Sequence, residues 1–184
     1  MGKFALYSAN SSYTFSNVVA KWPSNNPSGA SVSDPSDPNN VKIEAAIRKA
    51  AGKPTGQLTP ADLEKVKSLH LHNFQISDVS ALKELKQLTT LRLSSNRISD
   101  VSALKELKQL KELNLSQNQI SDVSALKELK QLKELRIYEN PDLTETQLSE
   151  LQKALPNCEI RYNPSSLKEG LVAYYPFNGN AKDE

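Results

Sequence analysis

The thirteen residues ISDVSALKELKQL occur three times without a change, at 76–88, 98–110 and 120–132, so the chain carries an internal period of 22 residues. This regularity restricts the fold severely, because every unit must adopt one shape and fit against a copy of itself. Within a unit the apolar residues Ile98, Val101, Leu104, Leu107, Leu110 and Leu113 are spaced by three, and Leu115 follows after a step of two. A spacing of three drifts off one face of an α-helix with its 3.6 residues per turn, and suits short 3₁₀ turns and bends instead. The step of two at Leu113-Asn114-Leu115 suits a short strand with both leucines on one side. Each unit is therefore predicted to make one coil, with a strand on one side and a bent, partly helical return on the other.

A single coil has no interior and must stack on its neighbours to dry its leucines, which makes the chain quasi-one-dimensional. The strands LHL at 69–71, LRL at 91–93, LNL at 113–115 and LRI at 135–137 are then expected to lie parallel, about 4.8 Å apart. Asn96, Asn118 and Asn140 recur at the turn after each strand. An inward amide both donates and accepts, so a column of them is expected to satisfy the turn's backbone groups out of reach of water. Phe74 holds the equivalent place in the first unit. The column should break there, with Phe74 packing against the helices that precede it.

The ends differ from the middle. Residues 1–40 hold nine Ser, six Asn and four Pro with four charged side chains, a composition that favours irregular turns over packed elements. Ile43, Ala46, Ile47 and Ala50, with Gly52 after them, form the pattern of an amphipathic helix. Thr59-Pro60-Ala61-Asp62 signals a second, short helix: the Thr hydroxyl caps the amide of Asp62 and Pro sits where no donor is needed. Leu63 and Val66 should face inward. Glu145 to Leu155 reads as a helix with Leu148, Leu151 and Leu155 on one face, and Cys158-Glu159-Ile160 as a fifth strand. Cys158 aligns with Leu135 in this reading, which assigns Glu159 and Arg161 to the second and third outward columns of the sheet.

The string Leu110-x-x-Leu113-x-Leu115-x-x-Asn118-x-Ile120-x-Asp122 resembles the leucine-rich repeat, in the 22-residue subtype of bacterial internalins. The segment before it resembles the cap that precedes such repeats in bacterial surface proteins, and the likeness covers residues 38–163. It implies an α/β leucine-rich repeat solenoid, with a parallel β-sheet on the concave face, 3₁₀ or short helical turns on the convex face, and an N-terminal helical cap. The expected organisation is an irregular leader at 1–37, the cap at 38–66, repeats with a closing unit at 67–163, and at 164–184 a linker. That linker leads into a strand similar to the opening of laminin-G or concanavalin-like jelly rolls. Twenty residues fall short of such a sandwich, so a fragment of a longer extracellular protein is expected.

Charge and composition exclude several functions. With 23 Lys+Arg against 21 Asp+Glu there is no basic field to hold a phosphate backbone, and nucleic acid is not an expected partner. No run approaches the roughly 18 apolar residues of a membrane span, so no membrane insertion is expected. The first fifteen residues show no evident secretory signal pattern. A single Cys has no disulfide partner within the chain. Neither a glycine-rich phosphate loop nor a nucleophile elbow is present. No enzymatic activity and no cofactor are expected.

Function is expected on the strand face, where the outward columns differ between copies while the return is invariant. The columns read Ser68, Thr90, Glu112, Glu134; His70, Arg92, Asn114, Arg136; and His72, Ser94, Ser116, Tyr138. The candidate ligand-binding residues are His70, His72, Arg92, Ser94, Glu112, Asn114, Ser116, Glu134, Arg136, Tyr138 and Arg161, since Arg and Tyr are enriched among binding hot spots. The plainer reading is a solvated sheet in which Arg136 pairs with Glu112, Glu134 or Glu159. His70 and His72 could offer two imidazoles to a metal, but Arg92 and Ser94 beside them are poor third ligands, and no metal is expected. The expected role is docking of a protein ligand by a bacterial secreted or cell-surface protein, with a glycan bound only through a further downstream domain. Alternatives are a structural spacer carrying a glycan-binding domain, or an intracellular regulatory scaffold.

Overall fold

A computed structural model describes residues 38–163. The expected leader at 1–37 and the laminin-G-like strand at 164–184 lie outside the described residues. Five three-residue strands form one parallel sheet in chain order: β1 (Ser68–His70), β2 (Thr90–Arg92), β3 (Glu112–Asn114), β4 (Glu134–Arg136) and β5 (Glu159–Arg161). The register follows the repeat, pairing Leu69 with Leu91, Leu91 with Leu113, Leu113 with Leu135 and Leu135 with Ile160. Pairing continues one residue past each strand, where the N–H groups of Leu71, Leu93, Leu115 and Ile137 donate to the carbonyls of Arg92, Asn114, Arg136 and Arg161 at 2.8–2.9 Å.

The returns are 3₁₀ turns at Ser80–Glu84, Ser102–Glu106 and Ser124–Glu128. An aspartate starts each one: the N–H groups of Ser80, Ser102 and Ser124 donate to Oδ1 of Asp78, Asp100 and Asp122 at 2.7–2.8 Å. These Asx turns bend the chain before the first 3₁₀ bond, which is why the Asp belongs to the invariant thirteen. The Ser102 N–H, and after it the Ser102 hydroxyl, holds the Asp100 carboxyl below its ordinary range. Ile98, Val101, Leu104, Leu107, Leu110, Leu113 and Leu115 are all buried, and they join their counterparts in one continuous core.

The ladder asparagines stitch consecutive coils together. Nδ2 of Asn118 donates to the carbonyls of Leu93 in the preceding coil and of Leu115 and Ser116 in its own, at 3.0–3.2 Å, while Oδ1 accepts from Ile98 N–H at 3.0 Å. Asn140 repeats the pattern one coil on, with Leu115, Ile137, Tyr138 and Ile120. Asn96 donates to Leu71, Leu93 and Ser94 and accepts from two amides, Phe74 and Ile76. The residue before each of these asparagines, and before Phe74 in the first unit, has positive φ: Asn73 (60°), Ser95 (56°), Gln117 (59°) and Glu139 (52°). Non-glycine residues pay for that conformation. The amide bonds on either side hold them in it.

Helices close both ends. α1 (Pro38–Ala51) buries Ile43 and Ile47 against the first coil, leaves Ala50 exposed, and ends at Gly52 with φ 67°. Asn39 ties it to the first return, its Oδ1 accepting from Ser77 N–H at 2.9 Å. α2 (Pro60–Leu63) starts with a full capping box between Thr59 and Asp62, and Leu63 and Val66 are buried. At the other end α3 (Glu145–Ala154) buries Leu148 and Leu151, and Gln147 Nε2 donates to Ser121 O at 2.7 Å. Among the described residues no helix is long and apolar enough to cross a membrane.

Asp62 joins the capping box to two ammonium groups, Lys53 at 2.6 Å and Lys65 at 3.2 Å. The Lys53 bond first, and the Thr59 N–H second, hold its carboxyl well below the usual carboxylate range. The folded carboxylate thus stays ionised where the unfolded one takes a proton. Its contribution is complete above the ordinary Asp value of about 4 and is lost as pH falls through that value toward the folded one. Asp62→Asn is expected to lower the urea midpoint at pH 7, and the gap to the parent chain should narrow at pH 3.

Candidate functional site

The outward side chains of β2, β3 and β4 surround a depression of about 100 Å³ lined by Leu91, Arg92, Glu112, Leu113, Asn114, Glu134 and Arg136. Five expected site residues, Arg92, Glu112, Asn114, Glu134 and Arg136, therefore meet at one place. The others lie around it. His70 and His72 are exposed on and just after β1, with His70 Nε2 3.3 Å from Ser68 Oγ. Ser94 is half-buried, and Tyr138 is 36% exposed. Among the described residues no group of three His, Cys, Asp or Glu is placed to hold a metal ion.

Two expectations are corrected. Ser116 is buried, 9% exposed, and its hydroxyl has no hydrogen-bond partner among the described residues, so it is not part of an open contact surface. Its backbone is drawn inward by bonds to Asn114 Oδ1 and Asn118 Nδ2. The fifth strand is also displaced from the assigned columns: Glu159 pairs with Glu134 and Arg161 with Arg136, placing them in the first and second columns, and Ile160 rather than Cys158 aligns with Leu135. The fourth unit returns through the α-helix α3 instead of a 3₁₀ turn, and this lengthens it by three residues relative to the period of 22.

Charge on this face is unevenly compensated. Arg136 Nε meets Glu134 Oε1 at 2.6 Å, and Arg161 reaches Glu159 at 2.8 Å and Glu134 at 3.4 Å. Arg161 holds the Glu159 carboxyl below its ordinary range. Such exposed pairs stabilise little, but they do engage the charges. The side chain of Arg92 has no ion pair or hydrogen bond among the described residues, and neither does that of Glu112. One bordering row escaped the sequence reading: Ser95, Gln117 and Glu139 are linked side chain to side chain, with Gln117 Nε2 donating to Glu139 Oε2 at 2.8 Å. The signal was present, since this column varies between copies as the strand columns do.

Cys158 is 3% exposed, and burial, with Glu134 a lesser cause, pushes its thiol up to about 11. A protonated, enclosed thiol is a poor nucleophile. At pH 8 a thiol-directed disulfide reagent is expected to label the folded chain slowly and the urea-unfolded chain rapidly. Fast labelling of the folded chain would contradict the packing of β5.

Residues 64–106 and 108–157 match the family model of leucine-rich repeats in two copies. The chain belongs to the leucine-rich repeat family, whose members are generally protein-interaction modules. Among solved structures it is similar to internalin C2 of Listeria monocytogenes, with a TM-score of 0.59 and 28% identity over 70% of this chain and 62% of that one. A second Listeria monocytogenes internalin, InlF, shares the fold with a TM-score of 0.54 at 24% identity, over 69% of this chain and 45% of that one. A leucine-rich repeat protein of Leptospira interrogans gives 0.50 at 27%, over 57% and 28%. The chain thus spans less than two thirds of the length of these structures. No curated protein matches the sequence.

Proposed function

We propose that the chain is a ligand-recognition module of a bacterial secreted or cell-surface protein and that it docks a protein partner across the strand face, with Arg92, Asn114, Arg136 and Tyr138 as the central contacts. The observation that carries this reading is Arg92: its guanidinium stands unengaged beside the depression while the other two arginines of the column, Arg136 and Arg161, are held by glutamates. An Arg without an internal partner is available for a bidentate bond to a carboxylate of another molecule. The likeness to internalin C2 supports a surface or secreted setting. Five strands at about 4.8 Å give a face near 20 Å across, suited to a small interface or to one part of a larger one.

The spacer alternative draws on a specific observation too, since the identical returns and the internally paired arginines suit a rod with no ligand. The two readings separate in a crosslinking experiment on extracellular and host-surface protein preparations. A photoreactive side chain at position 114 should give a discrete adduct that Arg92→Glu abolishes and that the same group at position 105, on the return face, does not give. Adducts indifferent to Arg92→Glu, or equal from both faces, would favour the spacer.

A further inference from the structure

Three large apolar side chains are exposed among the described residues: Val41 (53%), Phe74 (38%) and Tyr138 (36%). Two of them lie at the N-terminal end of the stack. Phe74 occupies the place of a ladder asparagine, yet its ring is not drawn into the coil. The next residue, Gln75, has φ 57°, a second left-handed residue that the later turns lack, so Phe74 is flanked by Asn73 and Gln75 in a conformation that non-glycine residues rarely adopt. Backbone of this kind is retained where something else requires it. Here Phe74 lines a groove of about 600 Å³ together with Lys42, Ala45, Ala46 and Lys49 of α1 and with His70.

The lining combines apolar surface from Phe74, Ala45 and Ala46 with two lysines. Lys42 Nζ donates to the carbonyl of Phe74, a neutral acceptor that leaves its charge uncompensated. Lys49 has no ion pair among the described residues, and no carboxylate lines the groove. The nearby Glu44 is taken by Arg48 at 2.7 Å. The surface therefore suits an apolar side chain with negative charge on either side of it. Residues 1–37 do not offer that combination: their aromatic residues end at Trp22, and their carboxylates are Asp34 and Asp37. We propose that this groove docks an extended segment of a partner protein that carries one large apolar side chain flanked by acidic residues.

The test is chemical-shift titration of the whole 184-residue chain with the peptide Gly-Glu-Phe-Leu-Glu-Gly and its counterpart Gly-Lys-Phe-Leu-Lys-Gly, to millimolar concentration. The acidic peptide should shift Phe74, Ala45 and His70 and bind at least tenfold more tightly than the basic one. Phe74→Asn supplies the residue the other turns use, so the chain should keep its dispersed spectrum while the affinity falls tenfold or more. The double variant Lys42→Glu, Lys49→Glu should do the same, and Lys105→Glu, on the second 3₁₀ return away from the groove, should leave binding unchanged. No binding of either peptide, equal binding of both, or sensitivity to Lys105→Glu without sensitivity to Phe74→Asn would overturn the proposal. So would nuclear Overhauser contacts between the Phe74 ring and residues 1–37 or 164–184 in the free chain, since the groove would then be filled from within.

Discussion

Replacing Asn118 by Ala is expected to destabilise the chain by about 2–4 kcal/mol, more than any change on the strand face, because the Ile98 amide loses its partner and three carbonyls each lose one of two. The side chain shares its two N–H groups among the carbonyls of Leu93, Leu115 and Ser116, and its oxygen takes the Ile98 amide. All of this lies behind a residue only 5% exposed. Alanine leaves the Ile98 N–H unpaired where water has poor access, at about 1–3 kcal/mol, while the three carbonyls keep only Asn96, Asn140 and the Ser95 N–H. Asn118→Asp separates donors from acceptors. It keeps an oxygen for Ile98 but buries a charge, so that variant should gain stability on acidification, when the carboxyl is protonated and can donate once. Urea midpoints at pH 7 and pH 4 measure both effects. A loss under 1 kcal/mol for Asn118→Ala would show that the ladder is incidental to folding.

Leu104→Ala should cost about 3–4 kcal/mol, the usual range for emptying a fully buried leucine site. The repeat allows a control that few proteins offer, because Leu82, Leu104 and Leu126 sit in the same thirteen residues and are all fully buried. Local propensity and side-chain identity are therefore equal, and only the neighbours differ. Leu104 has a 3₁₀ return on both sides. Leu126 has α3 on one side, and Leu82 has α1. In a stack where each coil touches only its neighbours, the cost reports those contacts, so Leu104→Ala should be the largest of the three. Calorimetric or urea unfolding of the three variants checks the order. Equal losses below 1 kcal/mol would mean that the returns do not form a shared core.

The repeated core was legible in the sequence because its physics is periodic. Spacing by three and the single step of two at Leu113-Asn114-Leu115 dictated the 3₁₀ return and the strand. What escaped lies where the period changes. The fifth strand was misplaced because α3 alters the length of the fourth unit, and nothing in Cys158-Glu159-Ile160 says which of its apolar residues continues the leucine row. Ser116 looked like any outward residue by alternation. Its burial follows from the turn that begins beside it, where Asn118 pulls the backbone in. Phe74 shows the same limit. The sequence marks it as the wrong residue for a ladder, but only the additional left-handed residue at Gln75 leaves its ring in the open. Of the strand face, the columns were readable from their variation between copies. That Arg92 is unengaged, while Arg136 and Arg161 are not, depends on where the glutamates of β4 and β5 fall.

The identity of the three return segments also bears on how such a molecule can change. Each junction among the three coils with identical returns is made by the same thirteen residues and the same strand register, so it is indifferent to which of these copies form it. Inserting or excising 22 residues creates no joint that the molecule does not already contain. The reach of the sheet then alters by about 4.8 Å per event, while α1 and α3 keep their seats at the two ends. Length in this architecture is a countable trait, open to revision by unequal exchange between duplicated stretches of coding sequence, without a fresh solution to the folding problem.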